Sequence, residues 1–597
     1  MLVRLLCLLT TAIVCFSSHA QAKTVGGALT TDSVWMPDDG PFIASQSIEV
    51  PAGVRLELKP GVVVQLKRYS FVVKGTLIAR GTKEAPVTFT SANVGRPAPQ
   101  DWGLLLFDGN ASGAQVRDSE YVSGSILEHV IVEYGQGMQF NAGAPYVSNC
   151  TVRFNKKERG GGIYAYNCNP VIRNCEIFWN VAEREGGGFR SAYGKPTLIA
   201  NRIHFNEAGY GGGGISTDYN ESMIVANDIA FNRGSTGGGI ATGDTQVGQT
   251  SMAGSSHSSP VIIRNTIRNN LAVVRGGGVH IEGSPKLAEN LIQGNRTLYA
   301  TNKPTPRGEY REKGTGAGAT IRDTYGPPAQ VDGNAFLGNR DCFWGGAINF
   351  YRAQGVVTNN LFLGNVAKES GGAVSLLMAN FRGDDGSWSF SKNSFANNVG
   401  GGFSIANDTG QTLSIRQNNL EDESNAILVN RKAPVDAINN WWGTTNDGEV
   451  PHRITDGHDH LGLGEVKTAP IAKEPVPFEH WYKEVAEFLA ACPTNVRAGQ
   501  GLNRLPGTPP SVTFVWKPGD LRDVAGYRIY FVKLNKKTGV RSPASITSGR
   551  SPADVGMKTR TKLEGFELGT HEFFVTAYDA AGNESSRSDT FTVDVVQ

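Results

Sequence analysis

The chain has 597 residues, enough for several domains, with 57 basic and 55 acidic side chains and a formal charge of +2. This balance gives no strong field for nucleic acid or for an anionic membrane, and we expect neither as a partner. The 74 glycines and 28 prolines, without low complexity, exclude collagen-like and simple disordered repeats and favour a fold with many tight turns.

Residues 1–22 have the features of a secretion signal. Arg4 gives a positive start, an apolar run follows over residues 5–16, and small residues over 18–22 fit a cleavage site. The run is too short to span a bilayer, and no other stretch is apolar enough to be a transmembrane segment. We therefore expect a secreted protein, located in the periplasm, at the cell surface or outside the cell.

A Gly-Gly-Gly step recurs through the middle of the chain, at first every 25 to 26 residues. Full or degenerate copies begin at Gly160, Gly186, Gly212, Gly237, Gly276, Gly316, Gly345, Gly371 and Gly400. Each unit holds three short apolar runs separated by Gly, Pro or Asn, as in GGGIYAYNCNPVIRNCEIFWN. Such runs are typical of strands and too short for helices. Because hairpin signals are scarce, the pattern predicts a parallel coil with three strands per turn.

Two asparagine columns keep step with the repeat. The first is Asn155, Asn180, Asn206, Asn232, Asn270, Asn295, Asn339, Asn365 and Asn398, and the second is Asn201, Asn227, Asn265, Asn290, Asn334, Asn360 and Asn393. Stacked amides can hydrogen-bond from coil to coil, and asparagine tolerates a left-handed backbone, so we expect these residues at the corners. In the earliest units Cys150 and Cys175 occupy the second column, either as an unbridged stack or as a disulfide.

These GGGI, Pro-x-I and Asn-x-x-I patterns resemble the right-handed parallel β-helix repeats of the pectin-lyase-like superfamily. The stretch from Gly61 to Val94 resembles the first coils of such proteins, and NNWWGTTNDG, from Asn439, resembles their terminal coil. The resemblance implies a β-helix over 23–470, with an N-terminal cap and a terminal coil. It does not fix an activity, because the superfamily includes lyases, hydrolases, epimerases, adhesins and inert scaffolds.

The remainder of the chain has a different pattern. Prolines mark residues 471–507 as a linker, and Trp481, Val485, Phe488 and Leu489 have the spacing of a short amphipathic helix. Residues 508–597 contain alternating strands and resemble a fibronectin type III module, a β-sandwich that is mostly a spacer or binding domain. The predicted fold class is therefore all-β, a right-handed parallel β-helix solenoid followed by a β-sandwich.

The strand after each Gly-Gly-Gly step is the predicted location of any functional site. Side chains alternate along it, so one face would carry polar residues outward. In characterised enzymes of the superfamily this sheet is the floor of the sugar cleft, and the insertion at 296–315 borders it. The candidate catalytic residues are Asp218, His280, Glu282 and Arg322, and the candidate substrate-binding residues are Tyr166, Tyr299, Arg307, Tyr310, Arg311, Asn349 and Tyr351.

Three interpretations of this face remain open: a solvated surface, a glycan-binding strip and a catalytic cleft. A lyase would use Arg322 or His280 as base, with cationic or Ca²⁺ stabilisation of the developing charge. A hydrolase would use carboxylates such as Asp218, Glu282 and Asp323. The favoured function is a carbohydrate-binding, adhesion or scaffold protein whose partner is a polysaccharide or cell-surface glycan. The alternative is a lyase or glycoside hydrolase acting on an acidic polysaccharide. We predict no metal-binding residues, and the sequence does not indicate an oligomeric state.

Overall fold

The computed structural model describes residues 22–596 other than 110–112, 219–220, 244–257, 299–313, 325–326, 378–387, 408–411, 423–425, 430, 501–508, 538 and 548. The predicted signal lies almost entirely outside the described residues, as do Tyr299, Arg307, Tyr310 and Arg311. No helix among the described residues is long and apolar enough to cross a membrane.

Three long parallel sheets form a solenoid. The strand after each glycine step belongs to the first of them, here named the post-glycine sheet. Its strands are Phe71–Val73, Leu105–Asp108, Met138–Asn141, Ile163–Tyr166, Phe189–Ala192, Ile215–Asp218, Ile240–Thr242, Val279–Glu282, Ala319–Arg322, Ile348–Tyr351, Val374–Leu377, Phe403–Ala406, Ile427–Val429 and Ile454–Thr455.

The second strand of each coil forms the middle sheet. Its 16 strands are Ser33–Trp35, Arg55–Leu58, Thr76–Arg80, Ile126–Glu128, Tyr146–Ser148, Val171–Arg173, Thr197–Ile199, Met223–Val225, Val261–Ile263, Lys286–Ala288, Ala329–Asp332, Gly355–Thr358, Ser389–Ser391, Leu413–Ile415, Val435–Asp436 and Val466–Lys467. At about 4.8 Å per coil, these strands extend over roughly 70 Å.

The last strand of each coil forms the third sheet. Its strands are Val63–Leu66, Val87–Ser91, Val130–Glu133, Thr151–Arg153, Glu176–Phe178, Arg202–His204, Asp228–Ala230, Thr266–Arg268, Leu291–Gln293, Ala335–Leu337, Leu361–Leu363, Ser394–Ala396 and Asn419–Leu420. At the N-terminal end, Lys23–Ala28 pairs with Phe42–Val50, and the latter pairs with both the post-glycine and third sheets.

Short strands connect the third sheet back to the glycine step. They are Lys156–Lys157, Val181–Ala182, Glu207–Ala208, Arg233–Thr236, Leu271–Arg275, Arg296–Thr297, Cys342–Trp344 and Ala367–Ser370. A hairpin of Ala114–Arg117 and Glu120–Gly124 projects from the early coils. Three 3₁₀ turns, Pro37–Asp39, Asp447–Glu449 and Pro451–Arg453, lie towards the two ends.

Coils stack with equivalent residues directly above one another. Ile163 aligns with Phe189, and Tyr166 aligns with Ala192. The first residue of each post-glycine strand, such as Ile163, Ile215 or Val279, is buried in the solenoid core. Glycine is needed where coils come closest, because a Cβ on Gly188 would lie 2.7 Å from the backbone oxygen of Gly214.

Both asparagine columns form continuous hydrogen-bonded ladders. The Nδ2 and the backbone N–H of Asn180 each donate to Oδ1 of Asn206, both at 3.0 Å. The prediction of asparagine ladders is thus confirmed, but the predicted corner conformation is wrong. The left-handed residue is the one before each ladder asparagine, such as Trp179 with φ 54°. That residue makes the turn, which directs the following amide inward along the solenoid axis.

The cysteines of the second column are an unbridged stack. Cys150 and Cys175 are both free thiols, and the backbone N–H of Cys150 points to Sγ of Cys175 at 3.4 Å. Burial raises the pKa of the Cys150 thiol well above its usual value.

After the solenoid, two antiparallel sheets share one hydrophobic core, and together they are here named the C-terminal module. One sheet contains Thr494–Gln500, Ser511–Lys517 and Arg560–Glu564, and the other contains Arg541–Pro543, Val524–Leu534, Ala553–Gly556, Gly569–Asp579 and Phe591–Val595. A small hairpin pairs Ser545–Ile546 with Gly549–Arg550. The first strand, Thr494–Gln500, lies within the segment interpreted as a linker.

The predicted amphipathic helix is short, Ala486–Ala490, and Trp481 is largely exposed. Leu489 packs on Leu337 and Leu361 of the third sheet. Glycine is required at this contact, because a Cβ on Gly338 would lie 2.3 Å from the backbone oxygen of Ala490.

The C-terminal module is docked on the same flank by a buried polar network. Glu584 accepts hydrogen bonds from the hydroxyls of Tyr530 at 2.7 Å and Thr576 at 2.5 Å, and from Arg268 of the solenoid at 3.2 Å. Arg296 of the solenoid donates to the backbone oxygen of Arg587 at 3.0 Å. These contacts make the module a fixed part of the solenoid surface.

Asp422 ends the first ladder and provides a test of it. This carboxylate is 2% exposed and accepts from Asn398, and burial raises its pKa to about 6. The folded protein therefore holds the proton more tightly than the unfolded chain, so stability is full below about pH 4 and is lost as pH rises to about 6. Asp422→Asn is expected to remove this loss and to raise the unfolding free energy at pH 7 by on the order of 3 kcal/mol.

Denaturant unfolding of both proteins from pH 4 to pH 8 measures this difference. Asp447→Asn, at an exposed ion pair with Lys473, is the control and should change little. Equal stability of the Asp422→Asn variant and the parent at pH 7 would show that the ladder tolerates a terminal charge.

Glu584 provides a test of docking. Glu584→Ala leaves the buried Arg268 guanidinium with fewer partners, which should cost about 3–5 kcal/mol. Calorimetry should show one transition for the parent protein and a separate, earlier transition of the module for the variant. Asp594→Asn, which removes an exposed pair with Lys536, is the control. A single unchanged transition in the Glu584→Ala variant would contradict fixed docking.

Candidate functional site

The outward residues of the post-glycine sheet are mostly buried from Phe189 onwards. Asp218 and His280 are 3% and 1% exposed, and Asn349 is also buried. Asp218 lies 2.5 Å from the guanidinium of Arg190, which also faces Glu185 at 3.9 Å. The expected polar face is therefore a set of buried ion pairs rather than a solvated surface.

A second group of ion pairs on the post-glycine sheet contains three of the four predicted catalytic residues. Glu282 Oε1 lies 3.5 Å from Nε2 of His280 and 3.5 Å from Nε of Arg322. Arg322 also contacts Asp323 at 2.8 Å, and its guanidinium lies 5.3 Å from the ring centre of Tyr351. His280, Glu282, Arg322 and Tyr351 thus meet on three successive coils. Asp218 instead pairs with Arg190.

The carboxylate of Glu282 in this second group is paired with a positive charge. Burial would raise the pKa of Glu282, but the hydrogen bond with His280 and the charge of Arg322 bring it below its usual value. Burial lowers the pKa of His280. Glu282 is therefore an ionised, paired carboxylate, and a hydrolase acid would have to be protonated.

Tyr166 lies apart from these ion pairs, in an earlier coil. It is 45% exposed and makes an edge-to-face contact with Tyr193, with ring centres 5.8 Å apart. The structure therefore places this predicted binding residue two coils before Asp218 in the same column and four coils before Glu282.

A concave site lies away from the post-glycine sheet, between the corner that follows the third sheet and the C-terminal module. Its volume is about 1200 Å³, above the usual range of ligand pockets of about 300–1,000 Å³. Its aromatic and imidazole lining residues are Tyr134, Phe154, Phe178, Trp179, His204, Phe205, Phe231, Tyr482 and Tyr530, its basic ones are Arg153, Lys156, Arg202, Arg268, Arg528, Arg541 and Arg550, and its acidic ones are Asp228 and Glu584. We call this site the groove.

Part of the aromatic lining is a ring stack that joins the two walls. Trp179 stacks on Phe205 with centroids 4.9 Å apart, and Phe205 stacks on Phe231 at 5.1 Å. Phe231 then stacks on Phe574 of the module at 5.4 Å. The stack positions the module, and Trp179 is its end on the groove side.

The corner aromatics of the groove are conformationally strained. Tyr134, Phe154, Trp179, Phe205 and Phe231 have φ between 54° and 61°, in the left-handed region. The equivalent positions of later coils are Asn269, Gly294, Gly338, Gly364 and Asn397, which adopt this region readily. Each bulky residue there costs roughly 1–2 kcal/mol, and such strain is typically kept at functional sites.

Docking of the module accounts for only part of this strain. Phe231 packs against Tyr530 and Phe574 of the module. Tyr134 and Phe154 stack on each other at 5.3 Å and, like Trp179, remain half-buried in the groove. These three half-buried rings of the groove are here named the aromatic platform.

The groove was missed by sequence reasoning because its walls are far apart in the chain. A signal was nonetheless present: Phe154, Trp179, Phe205 and Phe231 each stand directly before a ladder asparagine. No group of three or more His, Cys, Asp or Glu side chains in the described part of the chain is placed to hold a metal ion.

The model of a family described as a right-handed β-helix region matches residues 135–308. These coils are a right-handed β-helix. No curated protein matches the chain. Among solved structures the chain is similar to a mutant tailspike protein of an E. coli bacteriophage in complex with a pentasaccharide, at 12% identity and a TM-score of 0.20, over 92% of this chain and 85% of that chain. The pectin-lyase-like superfamily and the fibronectin type III module stay predictions.

The buried pair on the post-glycine sheet gives a testable role for Asp218. Asp218→Asn leaves the buried Arg190 without its nearest charge partner, so we expect a loss of about 3 kcal/mol in unfolding free energy. Denaturant unfolding measures it, with Glu221→Gln, at an exposed pair with Lys195, as the control in the same coil. If the variant is as stable as the parent, Asp218 does not stabilise the fold, and a functional role for this residue is favoured instead.

Proposed function

We propose that this chain is a secreted carbohydrate-binding protein that holds a polysaccharide in the groove. The observation that carries the proposal is the aromatic platform of Tyr134, Phe154 and Trp179, kept in strained left-handed corners at the edge of a large cavity. In this proposal residues 1–22 are a signal, 23–470 a pectin-lyase-like β-helix, 471–507 a linker and 508–597 a fibronectin type III-like module.

The lining chemistry suits a sugar chain. Aromatic rings supply flat apolar surface for the C–H faces of sugar rings, and guanidinium groups and hydroxyls donate hydrogen bonds around it. The lining mixes these two types, as expected of a site with an apolar surface and a few polar groups that fix orientation. A purely apolar protein ligand would instead leave the guanidinium groups of the wall desolvated and unsatisfied.

The dimensions favour a polymer over a single sugar. The aromatic platform occupies three successive coils, from Tyr134 to Trp179, which at about 4.8 Å per coil span roughly 10 Å. The module covers one side of this row, and the solenoid forms the other. A ligand in the groove would therefore contact both parts of the protein along its length.

The alternative of a lyase or glycoside hydrolase on the post-glycine sheet is less well supported. Glu282 and Asp323 both contact Arg322, and Asp218 contacts Arg190. Catalysis there would require these buried ion pairs to open before a substrate could reach a base or acid. We therefore favour binding without turnover, as in an adhesion or surface protein.

Trp179 tests the proposal directly. Trp179→Asn removes the groove-side end of the ring stack and places asparagine where the backbone favours it, so the fold should be retained. Affinity for a bound polysaccharide should fall about tenfold or more, the loss of roughly 1.4 kcal/mol or more of stacking. Titration calorimetry against a panel of neutral and acidic polysaccharides measures this, with the thermal midpoint recorded for each variant.

Tyr193 provides the matched control. It too is an aromatic residue in the left-handed region, with φ 56°, but it is exposed and contacts Tyr166 beside the post-glycine sheet. Tyr193→Asn should bind like the parent. If Tyr193→Asn loses binding and Trp179→Asn does not, the polysaccharide lies on the post-glycine sheet. If no polysaccharide binds the parent, the proposed function is wrong.

A further inference from the structure

We infer that the groove selects an anionic polysaccharide, one that carries carboxylate or sulfate groups along its chain. This inference rests on the proposed function and goes beyond it by naming the ligand class. The ligand's sugar rings would contact the aromatic platform, and its acid groups would pair with guanidinium groups on both walls.

The first argument is the distribution of charge around the groove. Among the residues that the structure describes, seven basic side chains and two carboxylates line it. Both carboxylates, Asp228 and Glu584, are already engaged by Arg268, at 3.2 Å in each case. Glu133, Glu176 and Glu183, which pair with Arg153, Arg202 and Lys156, do not line the groove. For Arg153, Arg202 and Lys156, the solenoid wall therefore presents the cation towards the cavity and keeps the carboxylate partner outside the lining.

The second argument is that three of these guanidinium groups keep hydrogen-bonding capacity. Arg153 uses Nε and one terminal nitrogen on Glu133, at 2.8 and 2.7 Å. The side chain of Arg202 is 63% exposed and meets Glu176 through one nitrogen at 3.1 Å. Arg550, on the module, is exposed, and its guanidinium is in none of the ion pairs found among the described residues. A guanidinium with free N–H groups is the preferred bidentate partner of carboxylate and sulfate.

The third argument is that these cations stand beside the aromatic platform. Burial raises the pKa of the Tyr134 hydroxyl, and the nearby charge of Glu133 adds to this, while Arg153 and Arg550 oppose it. The guanidinium of Arg153 lies 5.5 Å from the ring centre of Phe154, so this cation stands beside the aromatic platform, and Arg550 lines the same groove from the module. A sugar ring placed on the aromatic platform would have its acid group within reach of a cation on either wall.

A charge-matched pair of ligands tests the inference. Polygalacturonate and its fully methyl-esterified form share one backbone and differ only in charge, and dextran sulfate and dextran make the same comparison for sulfate. Where the acidic form binds, the ester or neutral form should bind at least about tenfold more weakly. Binding of the acidic form should also weaken between 50 and 500 mM NaCl, because salt screens exposed charges.

Protein variants separate the two walls. Arg550→Gln and Arg202→Gln should each weaken the acidic ligand about threefold to tenfold and leave any residual binding of the neutral partner unchanged. Arg264→Gln is the control, because Arg264 is an equally exposed arginine, paired with Glu289, that does not line the groove.

The outcomes distinguish the two proposals. If acidic and neutral forms bind equally and Trp179→Asn weakens both, the groove binds glycans but the inference of charge selection is wrong. If a single-stranded oligonucleotide binds more tightly than every polysaccharide, both the inference and the proposed function are wrong. Selective, Arg550-dependent binding of one or both acidic forms supports the inference, and the two ligand series identify carboxylate or sulfate as the group recognised.

Discussion

The amide ladders are the constraint on which the rest of the structure depends. Each ladder asparagine accepts from the side chain and the backbone of the previous coil, so the coils cannot slip relative to one another by even one residue. This register aligns the equivalent residues of every other column along the solenoid. The inward residues form a continuous core, and the outward residues form rows in which equivalent positions of neighbouring coils lie about 4.8 Å apart.

The corner before each ladder asparagine shows how one column can serve several purposes. The backbone is left-handed at every such position, so asparagine and glycine are the unstrained choices. Glycine stands where the Ala486–Ala490 helix approaches, since Gly338 and Gly364 lie against Ala490. Large aromatic residues stand where the groove opens. Their side chains gain contacts with the module or, in our account, with a ligand, and these contacts offset the strain of the corner.

Much of the solenoid was predictable from the sequence, because its physical determinants are local and repeated. The glycine step, the alternation of buried residues such as Ile163 and the two asparagine columns were all sufficient to predict parallel coils. The left-handed corner was assigned to the wrong residue. Asparagine adopts this conformation readily and was therefore predicted at the corner, but the ladder asparagine is the residue that follows the left-handed one. The pairing of Asp218 with Arg190 could not be predicted from the alternating pattern. A polar residue in that pattern is expected to point outward, but the pattern does not say whether its side chain is buried. The groove depends on contacts such as Arg268 with Glu584, which lie 316 residues apart, and no periodic signal links them.

The central claim is that a polysaccharide lies between the solenoid and the C-terminal module, against Trp179. A crystal structure of the protein with an oligosaccharide fragment of a binding polymer tests it most directly. The account predicts sugar rings on the aromatic platform of Tyr134, Phe154 and Trp179, with acid groups on Arg153 or Arg550. Sugar bound on the post-glycine sheet, beside Tyr166 and the Glu282–Arg322 pair, would contradict it.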